Sequence, residues 1–321
     1  MNKMDNTIAL GIDIGGTNTK IGIVDFSGNC LSKTTIHTDE YLVVNDFIEV
    51  LSSLIKQLIF EFGENKILKG IGIGAPNGNY FKGTIEYPPN LCWKGVTHFV
   101  DLMKTYFDVP IVLTNDANAA AIGEMIYGAA KGMKDFIVIT LGTGLGSGIV
   151  VDGNLVYGHD GFAGEIGHTI MVINGRPCGC GRHGCLETYC SATGITNTYK
   201  EFLHKHHINP PIEESLIDAK YINELAKDGN LLAIEAFNYT GEILGIGLAN
   251  SVAYTSPEAI FLFGGLANAK ELLFAPTIKS FEKNLLKIYK GKTKILPSTI
   301  EEGNAAIIGA ASLVWKELAH L

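Results

Sequence analysis

Apolar residues at the start of the chain come in short, strand-sized runs cut by glycines. Ile8-Ala-Leu-Gly-Ile-Asp, the turn Gly15-Gly16-Thr17-Asn18 and Lys20-Ile-Gly-Ile-Val24 read as strand, turn, strand. Residues 136–151 repeat the plan with Phe136-Ile-Val-Ile-Thr-Leu, Gly142-Thr-Gly-Leu-Gly-Ser-Gly148 and Ile149-Val-Val151. Sliding one segment onto the other without gaps pairs Gly15 with Gly142, and Ile23-Val24-Asp25 with Val150-Val151-Asp152. The chain reads as a duplication.

Between the repeats the periodicity predicts a helix near 44–62, a strand Gly70–Gly74, a helix near 97–107, a strand Ile111–Thr114 and an Ala-rich helix from about 117 to 130. After the second repeat come helical patterns near 187–203, 215–227 and 230–253, and a strand Ala259–Phe263 ending in Gly264-Gly265. Helical segments near 268–288 and 303–320 close the chain. Hairpins followed by strands alternating with helices define an α/β protein with mixed sheets. Two related halves imply a cleft, and with no low-complexity linker between them the domains are expected to hinge.

Composition narrows the class. A chain of 321 residues suggests two domains, and 46% hydrophobic with 18% charged residues describes a soluble globular protein. The first residues lack an apolar signal segment, so a reducing, cytoplasmic setting is expected, in which six cysteines are thiols or metal ligands. A net charge of −8 disfavours a nucleic-acid surface, and no run is long enough to span a membrane. The 38 glycines, roughly 12% of the chain against about 7% in average usage, call for close backbone approaches.

The turn after Asp13 has the parts of a phosphate cradle: Gly15 and Gly16 free the backbone N–H groups, and Thr17 and Asn18 add donors. Asp13 could hold a magnesium ion. The alternative is a tight hairpin with a polar tip; the matching turn with Thr143 and Gly144 favours the cradle, because two such turns can grip one polyphosphate. No Gly-x-x-x-x-Gly-Lys-Ser/Thr occurs, and Ser147 stands where the dinucleotide fingerprint needs glycine. Gly264-Gly265 could let an adenine ring lie on backbone.

Cys178-Gly-Cys180-Gly-Arg-His-Gly-Cys185 offers three thiolates to one tetrahedral ion, most simply zinc. The fourth ligand is open among His168, His183 and Cys190. Glu165, His168 and Glu187 flank this loop and suit sugar hydroxyls, although as isolated residues they would be ordinary surface groups. Asp116, where a strand meets the Ala-rich helix, is by default the helix N-cap; its alternative role is a base toward a substrate hydroxyl.

Taken together, Asp13-x-Gly-Gly-Thr17, Asn115-Asp116, Leu141-Gly-Thr-Gly144, Gly164-Glu-Ile-Gly-His168, Cys178-x-Cys180-Gly-x-x-Gly-Cys185-x-Glu187 and Gly264-Gly265 resemble the ROK family of sugar kinases and repressors. That family lies within the actin-like ATPase superfamily, whose fold is ribonuclease H-like with two domains. The resemblance implies an ATP-dependent, magnesium-assisted hexose kinase of carbohydrate metabolism and glycolysis, acting on the 6-hydroxyl, with glucose foremost. N-acetylmannosamine, N-acetylglucosamine, allose and fructose are the competing substrates. It implies Asp116 as catalytic base, Asn90, Asn115, Glu165, His168 and Glu187 as sugar contacts, and His168 as the fourth ligand of a structural zinc. It further implies a homodimer, and a small domain of residues 1–116 with 303–321 beside a larger one of 117–302 carrying the zinc loop. Gly74-Ala-Pro-Asn-Gly-Asn-Tyr80 departs from the family's Gly-Ala-Pro-Gly, which bears on the choice of hexose. Two readings from other classes are a sugar-responsive repressor and a sugar-binding protein without catalysis. The first would need a DNA-binding domain, and only twelve residues precede Asp13; the second sits poorly with Asp13, Thr17 and Asp116 all in place.

Overall fold

A computed structural model describes residues 6–63, 66–210 and 212–319, which form two compact units. The first comprises the chain to Gly132, residues 155–163, and the chain from Thr299 onward; the second comprises 133–154 and 164–298. In chain order the elements are β1 (Thr7–Ile14), β2 (Asn18–Asp25), β3 (Cys30–His37), α1 (Val44–Phe62), β4 (Ile67–Gly74), β5 (Gly78–Asn79), β6 (Thr84–Glu86), β7 (Val96–Thr97), α2 (Phe99–Lys104), β8 (Ile111–Thr114) and α3 (Asp116–Tyr127). There follow β9 (Phe136–Leu141), β10 (Leu145–Val151), β11 (Asn154–Leu155), α4 (Glu187–Cys190), α5 (Ala192–Lys205), α6 (Ala219–Lys227), α7 (Leu231–Thr255), β12 (Ala259–Phe263), α8 (Glu271–Asn284), β13 (Lys294–Pro297) and α9 (Glu302–Leu318).

The first sheet runs β3-β2-β1-β4-β8 and the second β11-β10-β9-β12-β13. Each pairs its hairpin antiparallel and its next two strands parallel, so the two orders correspond strand for strand. The duplication is therefore topological. The ungapped alignment is one residue out on the second strand of the hairpin, however. Four residues lie between paired Ile14 and Thr19, and three between paired Leu141 and Leu145. Ile23 faces Leu10 as Ile149, not Val150, faces Ile137. The second turn is simply tighter.

In the first unit Ile8, Leu10, Ile12 and Ile14 point into one core with Phe47, Ile48, Leu51 and Ile55 of α1, whose spacing puts them on one helical face. Each such burial is worth about 1.5–3 kcal/mol. On the opposite face Gly11, Gly22 and Gly72 present bare backbone to α9, where a Cβ would overlap Ile307 or Ala310. Gly123 of α3 meets Gly309 of α9 in the same way. Much of the glycine enrichment thus serves helix packing within the fold. In the second unit Ile137, Ile139 and Leu141 pack with Leu244, Leu248 and Val252 of α7 and Phe281 of α8.

Some expectations are corrected. The unit boundary lies after Gly132 rather than Asp116, because α3 packs on α9. The helix expected over 187–203 breaks at Ser191, which is extended and caps α5 by accepting from Gly194 N–H at 3.0 Å. The helix expected near 97–107 is only α2. Among the described residues no helix is long and apolar enough to cross a membrane.

Candidate functional site

The candidate residues fall into two sets, one on each unit. In the first, β1 and β8 lie either side of β4, and Asp13 and Thr114 both register with Gly74. Two parallel strands thus deliver Asp13 and the Asn115-Asp116 pair to one edge of the sheet. Gly15 N–H donates to Asn18 O at 3.0 Å, closing the turn, and Thr17 O accepts from Thr38 N–H at 2.8 Å. Thr17 and Asn18 themselves are exposed at its tip. Gly16 lies against the Asn90 backbone, and exposed Asn90 is held between buried Leu91 and Pro88.

The helix cap differs from the default. Asn115, extended at φ −62° and ψ 147°, is the N-cap of α3, its side chain accepting from Ala117 N–H at 2.8 Å. Asp116 is the first helical residue. Its Oδ1 also accepts from Ala117 N–H at 2.8 Å. Asp116 keeps solvent-accessible surface, yet the protein packed around its carboxyl strips away enough bulk water to raise its pKa, against the pull of the Ala117 N–H. Asp13 is pushed up to about 6 by burial first and then by the charge of Asp116, with Lys20 opposing. Lys20 is the cross-strand partner of Asp13 and shares its face of the sheet. It is a cation that the motif reading passed over, although it stands only two residues beyond Asn18.

In the second unit the Gly142-Thr143-Gly144 turn is fastened to the start of α5. Gly142 O accepts from Ala192 N–H at 2.8 Å and Thr143 O from Thr193 Oγ1 at 2.9 Å. A Cβ at Gly144 would meet Glu187 Oε2 at 2.7 Å, and that oxygen accepts from Leu145 N–H at 3.3 Å. Gly264, at φ +103°, lets the end of β12 pass close to Leu141, a conformation that favours glycine. Gly265, Gly142 and Thr143 border one cavity of about 540 Å³.

The metal-loop candidates converge. One ligand atom each from His168, Cys178, Cys180 and Cys185 lies within 4.8 Å of all the others. Cys178 Sγ is 3.6 Å from His168 Nδ1, and Cys180 Sγ is 3.6 Å from Cys185 Sγ. A tetrahedron of ~2.3 Å metal–sulfur bonds has edges of about 3.7 Å, so the donor set fits zinc in size as well as in chemistry. The other two candidate ligands are elsewhere: His183 is exposed beside its bridge to Pro177, and Cys190 is buried with Sγ 3.4 Å from Thr240 O. Cys180 is lowered to about 6, its desolvation outweighed by hydrogen bonds with Arg182. Glu187 Oε1 stands 3.1 Å from Cys178 Sγ and 3.6 Å from His168 Nδ1, and Glu165 Oε2 is 3.9 Å from His168 Nε2. Glu187 therefore ties the cysteine cluster to the glycine turn, one oxygen to each.

Two supporting residues were not legible as such. Ser147 Oγ donates to Gly164 O and accepts from Ile166 N–H at 3.2 Å, anchoring the Glu165–His168 turn to β10. Arg176 forks onto Glu201 at 2.8 and 2.6 Å, donates to Thr188 O at 2.8 Å and Thr198 Oγ1 at 2.9 Å, and stacks 4.5 Å from the Tyr189 ring centre. The 74–80 segment is also structural at its end. Asn79 is fully buried, accepting from Phe81 and Lys82 N–H and donating to Asp160 O at 2.8 Å.

Two sheets of matching order, each ending its central hairpin in a glycine turn, define a duplicated α/β protein with donor-rich turns. A model of the ROK family matches residues 9–317, and the chain belongs to that family. The glucokinase of Halalkalibacterium halodurans is 33% identical over 319 residues, covering 96% of this chain and 95% of its own. The xylose repressor of Bacillus subtilis is 27% identical over 314 residues, 95% of this chain and 76% of its own. The solved ROK family glucokinase from Streptomyces griseus, in complex with glucose and AMPPNP, superposes with a TM-score of 0.82 at 31% identity, over 96% of this chain and 99% of its own. The fold is the actin-like ATPase fold that the motifs led us to expect.

Proposed function

We propose that this protein is a sugar kinase that transfers the γ-phosphoryl group of ATP to the 6-hydroxyl of a free hexose, glucose foremost. The observation that carries the reading is Asp116. Asn115 is the N-cap of the helix, so the solvent-accessible Asp116 carboxylate stands at a strand's C-terminal edge where a substrate hydroxyl could meet it, its basicity raised by the protein packed around it.

In this reading the sugar oxygen attacks the γ-phosphorus, the bond to ADP breaks, and Asp116 receives the hydroxyl proton. Asn90, Asn115, Glu165, His168 and Glu187 hold the other hydroxyls. Asn115 offers its amide NH2, since its oxygen is engaged by the cap. Thr17, Asn18, Thr143 and the turn glycines Gly15, Gly16 and Gly144 hold phosphates, with Gly264 and Gly265 beside the adenosine. Asp13, raised by burial and by the charge of Asp116 with Lys20 opposing, would gain further counter-charge from magnesium, which would also neutralise the phosphates. Zinc, held by His168, Cys178, Cys180 and Cys185, would form a closed site that fixes the sugar-binding turn.

Asp116→Asn tests the assignment. The turnover number should fall by about 10²–10⁴-fold while calorimetric glucose binding changes little. A loss of only a few-fold would remove Asp116 from the role of base.

A further inference from the structure

A cavity of about 540 Å³ lies in the second unit. It falls within the 300–1,000 Å³ usual for small-molecule sites, and its wall is mainly apolar, with Leu141, Phe237, Leu266 and Ala269. Thr143, Asp218, Lys220, Asn223 and Asn268 are the polar side chains on that wall, and among them the acid and the two amides differ in their commitments. Asp218 is the N-cap of α6, accepting from Tyr221 N–H at 2.7 Å, and Asn268 is already partnered. Asn223, on α6, is different: its Oδ1 is buried and has no hydrogen-bond partner among the described residues. Leaving a buried amide oxygen unpaired is costly, so such groups call for an explanation.

A ligand supplies one. The cavity is bordered by Gly142, Thr143 and Gly265, where the proposed phosphates and adenosine meet the protein, and Asn223 stands on the same wall with its oxygen buried beside the space a flat base would fill. A carboxamide complements adenine in a bidentate manner: its oxygen accepts from the 6-amino group while its NH2 donates to the adjacent ring nitrogen. We infer that Asn223 reads the 6-amino group of the donor's purine base, its amide turning about χ2 to exchange an unpaired oxygen for a paired one. This rests on ATP being the donor. It adds a base-selecting residue that no glycine motif contains.

The test compares ATP with purine riboside 5′-triphosphate, which lacks only the 6-amino group, in wild type and Asn223→Ala. Wild type should prefer ATP by about tenfold in kcat/KM, the worth of one well-made hydrogen bond. In the variant the KM for ATP should rise about tenfold at unchanged kcat and glucose KM, and the preference should collapse toward one. A variant that retains the preference overturns the inference while leaving the kinase reading intact. A wild type that turns over neither donor with any hexose overturns the kinase reading. In that case calorimetry of ADP against purine riboside diphosphate still decides the inference: equal affinities overturn it and a preference for ADP supports it.

Discussion

Asp13 and Asp116 illustrate how a residue's neighbours set its chemistry. Asp13, normally near 3.8, is raised to about 6 by burial and by the charge of Asp116. A folded-state pKa above the unfolded value means the folded form holds its proton more tightly. The associated stability is present below about pH 4 and is lost as pH rises through 6. Without metal or nucleotide, Asp13→Asn should therefore raise the unfolding free energy at pH 7.5 by about 1–3 kcal/mol, reduced from the full shift because Asp13 is partly exposed, and should give no gain near pH 3.5. Thermal unfolding at both values checks this, and an equal gain at each would refute the burial argument. The same variant should lose activity, since a group that costs stability is retained for function. At this scale the sequence was partly readable. It offered two adjacent cap-forming side chains, Asn115 and Asp116, and only the backbone angles decide which one caps.

At the scale of elements, long regular segments showed through. The spacing of Phe47, Ile48, Leu51 and Ile55 located α1 over 44–62 as observed, and the apolar run Ala259–Phe263 located β12. Missed were β5, β6, β7 and β11, two or three residues each, too short for alternation to register, then β3, an edge strand of eight residues in which only Ile36 is buried, and β13, which ends on Pro297. The cysteine loop was legible from spacing alone, whereas its fastening was not, because a single arginine carries no period. Arg176 joins that loop to α4 and α5, and its removal takes the guanidinium donor from Thr188 O, while Gly194 O keeps its bond from Thr198 Oγ1. Arg176→Ala should lower the unfolding free energy by about 2–4 kcal/mol and raise the sugar KM more than the ATP KM. Unchanged thermal unfolding would show that the loop stands without it. Ser147→Ala should act in the same direction and more weakly, through the Glu165–His168 turn.

For the molecule as a whole, duplication is the organising fact. One strand order occurs twice, and each copy ends its central hairpin in a turn whose donors suit phosphate. The second copy alone carries the cysteine cluster, and on the proposal that it holds zinc, the ion would fix a loop that has few apolar residues of its own. Protein purified without added metal should contain about one zinc per chain. Its removal by a strong chelator should lower the melting temperature and weaken sugar binding more than ADP binding. Full sugar affinity after complete zinc removal would separate the cluster from the sugar site.

Phosphoryl transfer to a hexose is the step that every proposed residue role serves. The direct measurement is ADP release from ATP and magnesium in the presence of glucose, N-acetylmannosamine, N-acetylglucosamine, allose or fructose, with the product's phosphate position assigned by nuclear magnetic resonance. Saturable release, highest in kcat/KM with glucose and yielding the 6-phosphate, is the expected result. Tight sugar binding with no ADP released for any of the five would contradict the account.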